Sequence, residues 1–173
     1  MAEVEIARRL ELLMGMAGAP DRSFDTIVAA GPNSAVPHHQ PTERPIAPGD
    51  LLKIDFGALF DGYHADCTRT FVVAADPLDW QAEIHAVVAG AQQAGMAALV
   101  PGVAGQEVDR AAREVIETAG FGQYYGHGLG HGVGLDIHED PRLSPLYDGP
   151  IEEGHVVTVE PGIYLPGWGG VRI

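Results

Sequence analysis

Three histidines lie within twelve residues of a glycine-rich stretch, a density more typical of a functional site than of scattered structural histidines. They are His127, His131 and His138 in "GHGLGHGVGLDIHE". Glycine at every second position makes a helix very unfavourable, because each one costs about 1 kcal/mol relative to alanine. In an extended chain, His127 and His131 share one face and leave bare backbone on the other. The segment matches neither a dinucleotide fingerprint nor an H-E-x-x-H zinc motif.

Two aspartates form a second candidate feature. The strands predicted in "DLLKIDFGALF" and "YHADCTRTFVV" flank Asp61-Gly62, a strong hairpin signal. With a two-residue turn, Asp55 lies opposite Thr68, and Asp66 is its diagonal neighbour on the same face, ~7–8 Å away between Cα atoms. If that face is covered, the two carboxylates repel each other and lose hydration, and a cation between them would remove this cost. The alternative is a solvated polar face without a site.

The opposite face of this hairpin is predicted to be its core face. It carries Leu52, Ile54, Phe56, Phe60, Tyr63, Ala65, Cys67 and Phe71.

An internal repeat links a third acid to these aspartates. "IAPGDLLKIDFG" aligns without a gap on "IEEGHVVTVEPG", so that Asp55 falls on Glu160. Two similar halves packed about a pseudo-twofold axis would bring both acids into one site.

Helical periodicity and turn residues predict the elements that hold these side chains. Helices are expected from about residue 4 to 17, 79 to 99 and 106 to 119, with glycine after the first and third. "SFDTIVAAG" is a short strand candidate, and the proline-rich residues 32–50 are predicted to be a loop. The final residues of the chain, 156–173, read as closing strands. This order indicates an α+β fold.

The blocks "IDFGALFDGYHADCTRTF", "GHGLGHGVGLDIHE" and "VEPGIY" resemble, in order, the signature blocks of the pita-bread metallopeptidases. That family comprises Xaa-Pro dipeptidases (prolidases), aminopeptidase P and methionine aminopeptidases. "SFDTIVAAGPNSAVPHH" is similar to the block just upstream. The resemblance implies a pita-bread fold of two pseudo-symmetric halves, with helices over a curved sheet, and a single catalytic domain over residues 1–173.

The resemblance also implies a site for two divalent metal ions, manganese or cobalt, with zinc as a further option. Asp55 and Asp66 match its aspartate ligands, with Asp66 bridging both metals. His131 and Glu160 match ligands of the second metal. Hard carboxylates with one imidazole suit these ions.

Further residues match the family's substrate side. His38 and His138 match histidines that contact substrate and steady the tetrahedral intermediate, and they are expected to be catalytic together with Glu160. His127 matches a histidine lining the substrate side in the proline-specific branch. Arg172 is expected to contact substrate as well.

The implied reaction is hydrolysis of the bond after the N-terminal residue, by a hydroxide that bridges the metals. "HGLGHGVGLDIHE" resembles the Xaa-Pro branch, within which prolidase and aminopeptidase P are not separable. Two alternatives stay open: a non-catalytic pita-bread module that binds peptides or partner proteins, and a methionine aminopeptidase.

The chain departs from the family pattern at both ends. The N-terminal domain of the Xaa-Pro branch is absent from it. A bridging glutamate and a final strand are expected after the pair Arg172-Ile173, where the sequence stops. The 173-residue chain by itself is therefore expected to turn over substrate weakly or not at all.

Composition limits the partners. The net charge of −14 argues against a nucleic-acid surface, which needs an excess of lysine and arginine. No apolar run approaches the ~18 residues of a membrane span. The expected partner is a peptide with proline at its second position, with a homodimer as a further expectation, and the expected location is the cytoplasm.

Overall fold

The structure, a computed structural model, describes residues 1–173 and has an α+β architecture. Its three α-helices are α1 (Glu3–Met16), α2 (Asp79–Ala98) and α3 (Gly105–Thr118), and each lies within one residue of the predicted bounds. Two short 3₁₀ helices cover Gly31–Ala35 and Gly122–Tyr124. The ten strands are β1 (Asp21–Arg22), β2 (Ile27–Ala30), β3 (Leu51–Phe56), β4 (Ala58–Phe60), β5 (Tyr63–His64), β6 (Cys67–Val72), β7 (Gly130–Gly132), β8 (Glu139–Leu143), β9 (Gly162–Leu165) and β10 (Gly169–Arg172).

The strands form four small antiparallel sheets, ordered β2-β3-β6, β1-β4-β5, β7-β8 and β10-β9. The hairpin register is the predicted one, with Asp55 opposite Thr68 and Phe60 opposite Tyr63. Asp61 and Gly62 both have positive φ, 50° and 83°. A two-residue turn that follows the twist of its strands requires this conformation.

The predicted assignment of the two hairpin faces holds only in part. The polar face is the covered one: Lys53, Asp55, Thr68 and Thr70 are at most 6% exposed. On the apolar face Leu52 is 8% exposed and belongs to a small core with Ile54 packed against it, whereas Phe60, Tyr63 and Phe71 are more than half exposed. The physical reason is that the chain's other half packs on the polar face, where Thr70 Oγ1 donates to the carbonyl of Arg172 at 2.8 Å. The covered alternative, in which two carboxylates share a desolvated face, is the one that the structure shows.

The main hydrophobic core lies between α2, α3 and the second half of the chain. It joins Ile84 and Val88 of α2 to Val108 and Ile116 of α3, and to the buried Leu129 of the histidine segment, residues 126–139. A smaller core of Ala7, Val28, Ala30 and Leu52 lies under α1. These two cores hold the covered face of the hairpin against β10.

The second half of the chain is less regular than the first-half segment with which the internal repeat aligns it. Where β3 is a six-residue strand, residues 156–160 make only one isolated bridge, Gly132 with Val157. The segment is nevertheless extended along the histidines, because the amides of Thr158 and Glu160 donate to the carbonyls of His131 and Leu129, each at 2.8 Å. Pro161 has no amide proton to continue the ladder. None of the helices has the length and apolar character needed to cross a bilayer.

Candidate functional site

The eight site residues predicted from the sequence line a single cleft of about 460 Å³. They are His38, Asp55, Asp66, His127, His131, His138, Glu160 and Arg172. They come from five separate stretches of the chain, which the hairpin, the histidine segment and the C-terminal strands bring together.

Three of these side chains form a compact donor cluster. The ligand atoms of Asp66, His131 and Glu160 lie within 4.8 Å of one another. Nε2 of His131 is 3.5 Å from Oδ2 of Asp66 and 3.2 Å from Oε1 of Glu160. Two carboxylates and one imidazole at this spacing are a donor set that suits Mn²⁺, Co²⁺ or Zn²⁺.

Local hydrogen bonds orient the cluster. Nδ1 of His131 lies 3.0 Å from the carbonyl oxygen of Gly132, which requires a proton on Nδ1 and directs Nε2 to the carboxylates. The hydroxyl of Thr158 accepts from the amide of His131 at 3.0 Å and donates to Oε1 of Glu160 at 2.9 Å. Thr158 therefore fixes the histidine and the glutamate to each other.

The charges of the cluster are coupled. Burial acts against a charged imidazole, but the contacts with Asp66 and Glu160 outweigh it and raise the pKa of His131 to about 10. Burial likewise acts to raise the pKa of Glu160, but His131 and Arg172 outweigh it and lower that pKa. The pair carries opposite charges near neutral pH, so a metal ion that binds here must displace the proton of His131.

Asp55 lies outside the three-residue cluster. Its Oδ2 accepts a hydrogen bond from Arg172, and its Oδ1 is buried without a hydrogen-bond partner. Burial raises the pKa of Asp55, against the effect of the Arg172 charge. A buried carboxylate oxygen without a partner is costly, and a cation in the cleft would satisfy it. This orphan oxygen and the donor cluster together fit the expected metal ions.

Arg172 lines the cleft and is occupied by protein acceptors. The residue is 2% exposed, and its donors are directed at protein acceptors instead of at the open cleft. The acceptors are Asp55, the hydroxyls of Thr68 and Tyr164, and the carbonyl of Pro37, with Glu160 Oε2 3.5 Å from its Nε. This arrangement favours a role in holding the cleft together over the predicted contact with substrate.

The remaining histidines occupy different depths of the cleft. The ring of His138 meets that of His131 edge-on, with centroids 4.4 Å apart. His127 accepts at Nε2 from the hydroxyl of Tyr164 at 2.9 Å and lies 2.7 Å from the Gly128 carbonyl through Nδ1. Burial lowers the pKa of His127, so that its ring is neutral. His38 is exposed at the rim.

Two groups at the site were missed by the sequence reasoning. Arg142 lines the cleft beside His138. Asp109 of α3 is buried and forms an ion pair with the partly buried Arg113, and the two residues bind the backbone on either side of Gly128. Arg113 donates to the carbonyl of His127 at 2.7 Å, and Asp109 accepts from the amide of Leu129 at 2.9 Å. The sequence signal for this pair is the spacing of Asp109 and Arg113, an acid and a base four residues apart near the apolar side of α3.

Comparison with known proteins decides the family. The model for metallopeptidase family M24 matches residues 1–173. The chain belongs to metallopeptidase family M24. It is 48% identical over 171 residues to the Xaa-Pro dipeptidase of Pyrococcus furiosus, covering 99% of this chain and 49% of that protein.

Solved structures of the M24 family agree with the fold. The prolidase from Pyrococcus furiosus superposes with a TM-score of 0.98 at 48% identity, covering 100% of this chain and 51% of that one. The X-Pro aminopeptidase from Thermotoga maritima gives a TM-score of 0.97 at 45% identity, covering 100% of this chain and 49% of that one. The predicted α+β pita-bread fold is confirmed. The chain spans about half the length of these relatives.

Proposed function

We propose that this domain is the metal-dependent catalytic part of a peptidase that hydrolyses the bond between an N-terminal residue and a following proline. The observation that carries the proposal is the convergence of Asp66, His131 and Glu160 in a cleft that also holds His138. Proteins similar in sequence bear the names Xaa-Pro dipeptidase and X-Pro aminopeptidase, which supports the same reaction. Manganese or cobalt is the proposed metal.

The chain's own residues supply orientation and hydrogen bonding. Divalent metal ions held by the carboxylates and His131 would supply an acidic water and a Lewis acid for the scissile carbonyl. Burial and the neighbouring charges of His131 and Arg142 lower the pKa of His138. A neutral imidazole at that position can donate one N–H to an oxygen that gains charge in the transition state. The neutral His127 and the exposed His38 line the same cleft, which supports the proposal that both contact the substrate.

Arg142 suggests how a short substrate is recognised. Its side chain is 43% exposed, and its nearest acidic partner, Asp140, is 3.6 Å away. Arg172, the other arginine of the cleft, is already committed to protein acceptors. Arg142 is therefore the cation available to bind the free carboxylate of a dipeptide, since guanidinium and carboxylate match in a bidentate geometry. We propose an Xaa-Pro dipeptidase over an aminopeptidase P on this ground.

A carboxylate following Ile173 is part of the proposal. Side chains alternate along a strand, so a residue after Ile173 would share the face on which Arg172 meets the cleft. Gln92 holds this end of β10 in place, because its Nε2 donates to the carbonyls of Val159 and Ile173 at 3.2 and 3.1 Å. The predicted bridging glutamate and the single-domain boundaries stay predictions.

The test is hydrolysis by the metal-reconstituted protein that carries this domain. We expect cleavage of Ala-Pro and Met-Pro with Mn²⁺ or Co²⁺, and little cleavage of Met-Ala peptides. Arg142→Gln should raise KM for Ala-Pro about tenfold or more. It should leave KM for the C-terminal amide Ala-Pro-NH₂ unchanged. Equal activity on Met-Ala peptides would support the methionine aminopeptidase alternative.

Metal binding separates the enzyme from a module that only binds peptides. A peptide-binding module would take up no stoichiometric Mn²⁺, Co²⁺ or Zn²⁺ after reconstitution, whereas the peptidase should. Cytoplasmic location and a homodimer remain part of the proposal, and fractionation and analytical ultracentrifugation check them.

A further inference from the structure

Glu3, at the start of α1, is a fully buried acid that lies outside the candidate site. Its side chain is 0% exposed, and no lysine or arginine forms an ion pair with it. Five donors surround it instead. Oε1 accepts from the amide of Ala30 at 2.8 Å and the side chain of Asn33 at 3.0 Å. Oε2 accepts from Thr42, through its amide at 3.0 Å and its hydroxyl at 2.7 Å, and from Nε2 of His39 at 2.9 Å.

Only a carboxylate satisfies this arrangement. Both oxygens of an ionised carboxyl group accept, whereas a glutamine offers one acceptor and two donors. Gln at position 3 would turn an NH₂ group towards donors on one side or the other. The site therefore requires the charge as well as the shape of Glu3.

The donors lie on both sides of His38. Asn33 precedes it, and His39 and Thr42 follow it in the irregular stretch that leads to β3. The backbone just before His38 is held from the opposite direction: the carbonyl of Pro37 accepts from Arg172 at 3.0 Å and from Nζ of Lys53 at 3.4 Å. His38 itself is exposed, so its position at the cleft depends on the residues around it.

We propose that Glu3 is a positioning residue for His38, acting through the hydrogen bond to His39 and the bonds to Thr42. Glu3 lies at the N-terminus of α1, which packs under β2 through Ala7, Val28 and Ala30. Through Glu3, the small core therefore restrains the loop that carries His38 at the rim of the cleft. This proposal rests on the proposed function only for its effect on catalysis, because the clamp itself exists without substrate or metal.

The first test uses the metal-free protein. Amide hydrogen exchange and the imidazole NMR signals of His38 are compared in wild type, Glu3→Gln and His39→Leu. Glu5→Gln is the matched control, because Glu5 lies on the same helical turn, is exposed and contacts only the amide of Ala2. We expect the amide exchange rates at residues 38–42 to rise about tenfold or more in both test variants. The control variant should exchange at the wild-type rate. Equal protection in Glu3→Gln and Glu5→Gln would overturn the proposal, whatever the enzyme hydrolyses.

The second test is a double-mutant cycle on activity with His38→Ala. In the otherwise wild-type protein, Glu3→Gln and His39→Leu should lower kcat about 10- to 100-fold with little change in KM, since small misplacements of a reacting group have this effect. In the His38→Ala background each should change kcat by less than about twofold. A merely structural role predicts the same loss in both backgrounds, and that result would refute positioning through His38. His39→Leu removes one of the five bonds, so it keeps the test available if Glu3→Gln does not fold.

Discussion

Arg172 and Asp55, 117 residues apart in the chain, form a buried ion pair in the wall of the cleft. The arginine closes the second half of the chain onto the covered face of the hairpin. Its guanidinium also reaches the hydroxyls of Thr68 and Tyr164. The pair therefore joins the two halves at the point where the candidate ligands meet.

Replacing this arginine should destabilise the fold. Arg172→Met leaves Asp55 buried without its partner, and breaking a buried pair costs about 3–5 kcal/mol. Urea unfolding of the metal-free protein measures the loss. Arg69→Met is the control, because Arg69 lies exposed on the other face of the hairpin and donates only to the adjacent Thr68 carbonyl; it should change the free energy of unfolding by less than about 0.5 kcal/mol. Similar losses in both variants would contradict the structural role of the pair.

Loss of one ligand residue should weaken metal binding, and this can be measured without an assay of activity. Glu160→Gln removes a charge from the donor cluster, and we expect the dissociation constant for Mn²⁺ or Co²⁺ to rise more than ~100-fold, since changes outside the ligand shell already cost 10- to 100-fold. Isothermal titration calorimetry provides the measurement. Glu153→Gln, an exposed acid in the same stretch, should bind as wild type does. Unchanged affinity in Glu160→Gln would remove this residue from the ligand set.

Much of the site was predictable because its residues carry local signals. The Asp61-Gly62 turn determines the register that puts Asp55 and Asp66 on one face. Alternating glycines predict the close approach at the histidine segment, where an added Cβ at Gly130 would lie 2.0 Å from the carbonyl oxygen of Thr158.

The rest depends on tertiary contacts that no local pattern encodes. Composition alone favours burial of the apolar face of the hairpin, whereas burial of its polar face depends on where the second half of the chain packs. Arg172 was expected at the substrate because its sequence position says nothing about the five acceptors that surround it. Glu3 looks like an ordinary first-turn acid of an amphipathic helix until the loop around His39 folds over it.

The close approach at Gly130 can be tested against a second glycine of the same segment. Gly130→Ala would place a methyl group against the Thr158 backbone, which cannot move without shifting Glu160, whereas a Cβ at Gly126 meets nothing within 4 Å. We expect Gly130→Ala to lower the free energy of unfolding by about 2 kcal/mol or more and to weaken metal binding. Gly126→Ala should be neutral or slightly stabilising. Thermal unfolding and calorimetry compare the two, and equal stability would count against this packing.

The ion pair between the buried Asp109 and Arg113 on α3 should contribute more to stability than the exposed ion pairs of the same helix. Asp109→Asn weakens the bonds to Arg113 and to the amide of Leu129, so that the partly buried guanidinium loses its counter-charge, and we expect about 2 kcal/mol of destabilisation. Glu107→Gln affects only a contact of 3.9 Å between exposed side chains, worth less than about 0.5 kcal/mol. Chemical denaturation distinguishes them. Equal effects would mean that the pair does not support the histidine segment.

The buried acid at position 3 predicts a pH dependence of stability. Burial acts to raise the pKa of Glu3, but hydrogen bonds from Thr42, His39, Asn33 and Ala30 lower it from 4.5 to about 2. Because the folded-state pKa lies below the unfolded one, the stabilisation is complete above pH ~4.5 and is lost as the pH falls towards ~2, for a total of about 3 kcal/mol. The stability difference between wild type and Glu3→Gln should therefore shrink across this interval. Urea unfolding from pH 6 to pH 2.5 measures it, with the exposed Glu5→Gln as the comparison variant. A Glu3→Gln difference that is constant with pH would show that Glu3 does not fold as a buried, hydrogen-bonded carboxylate.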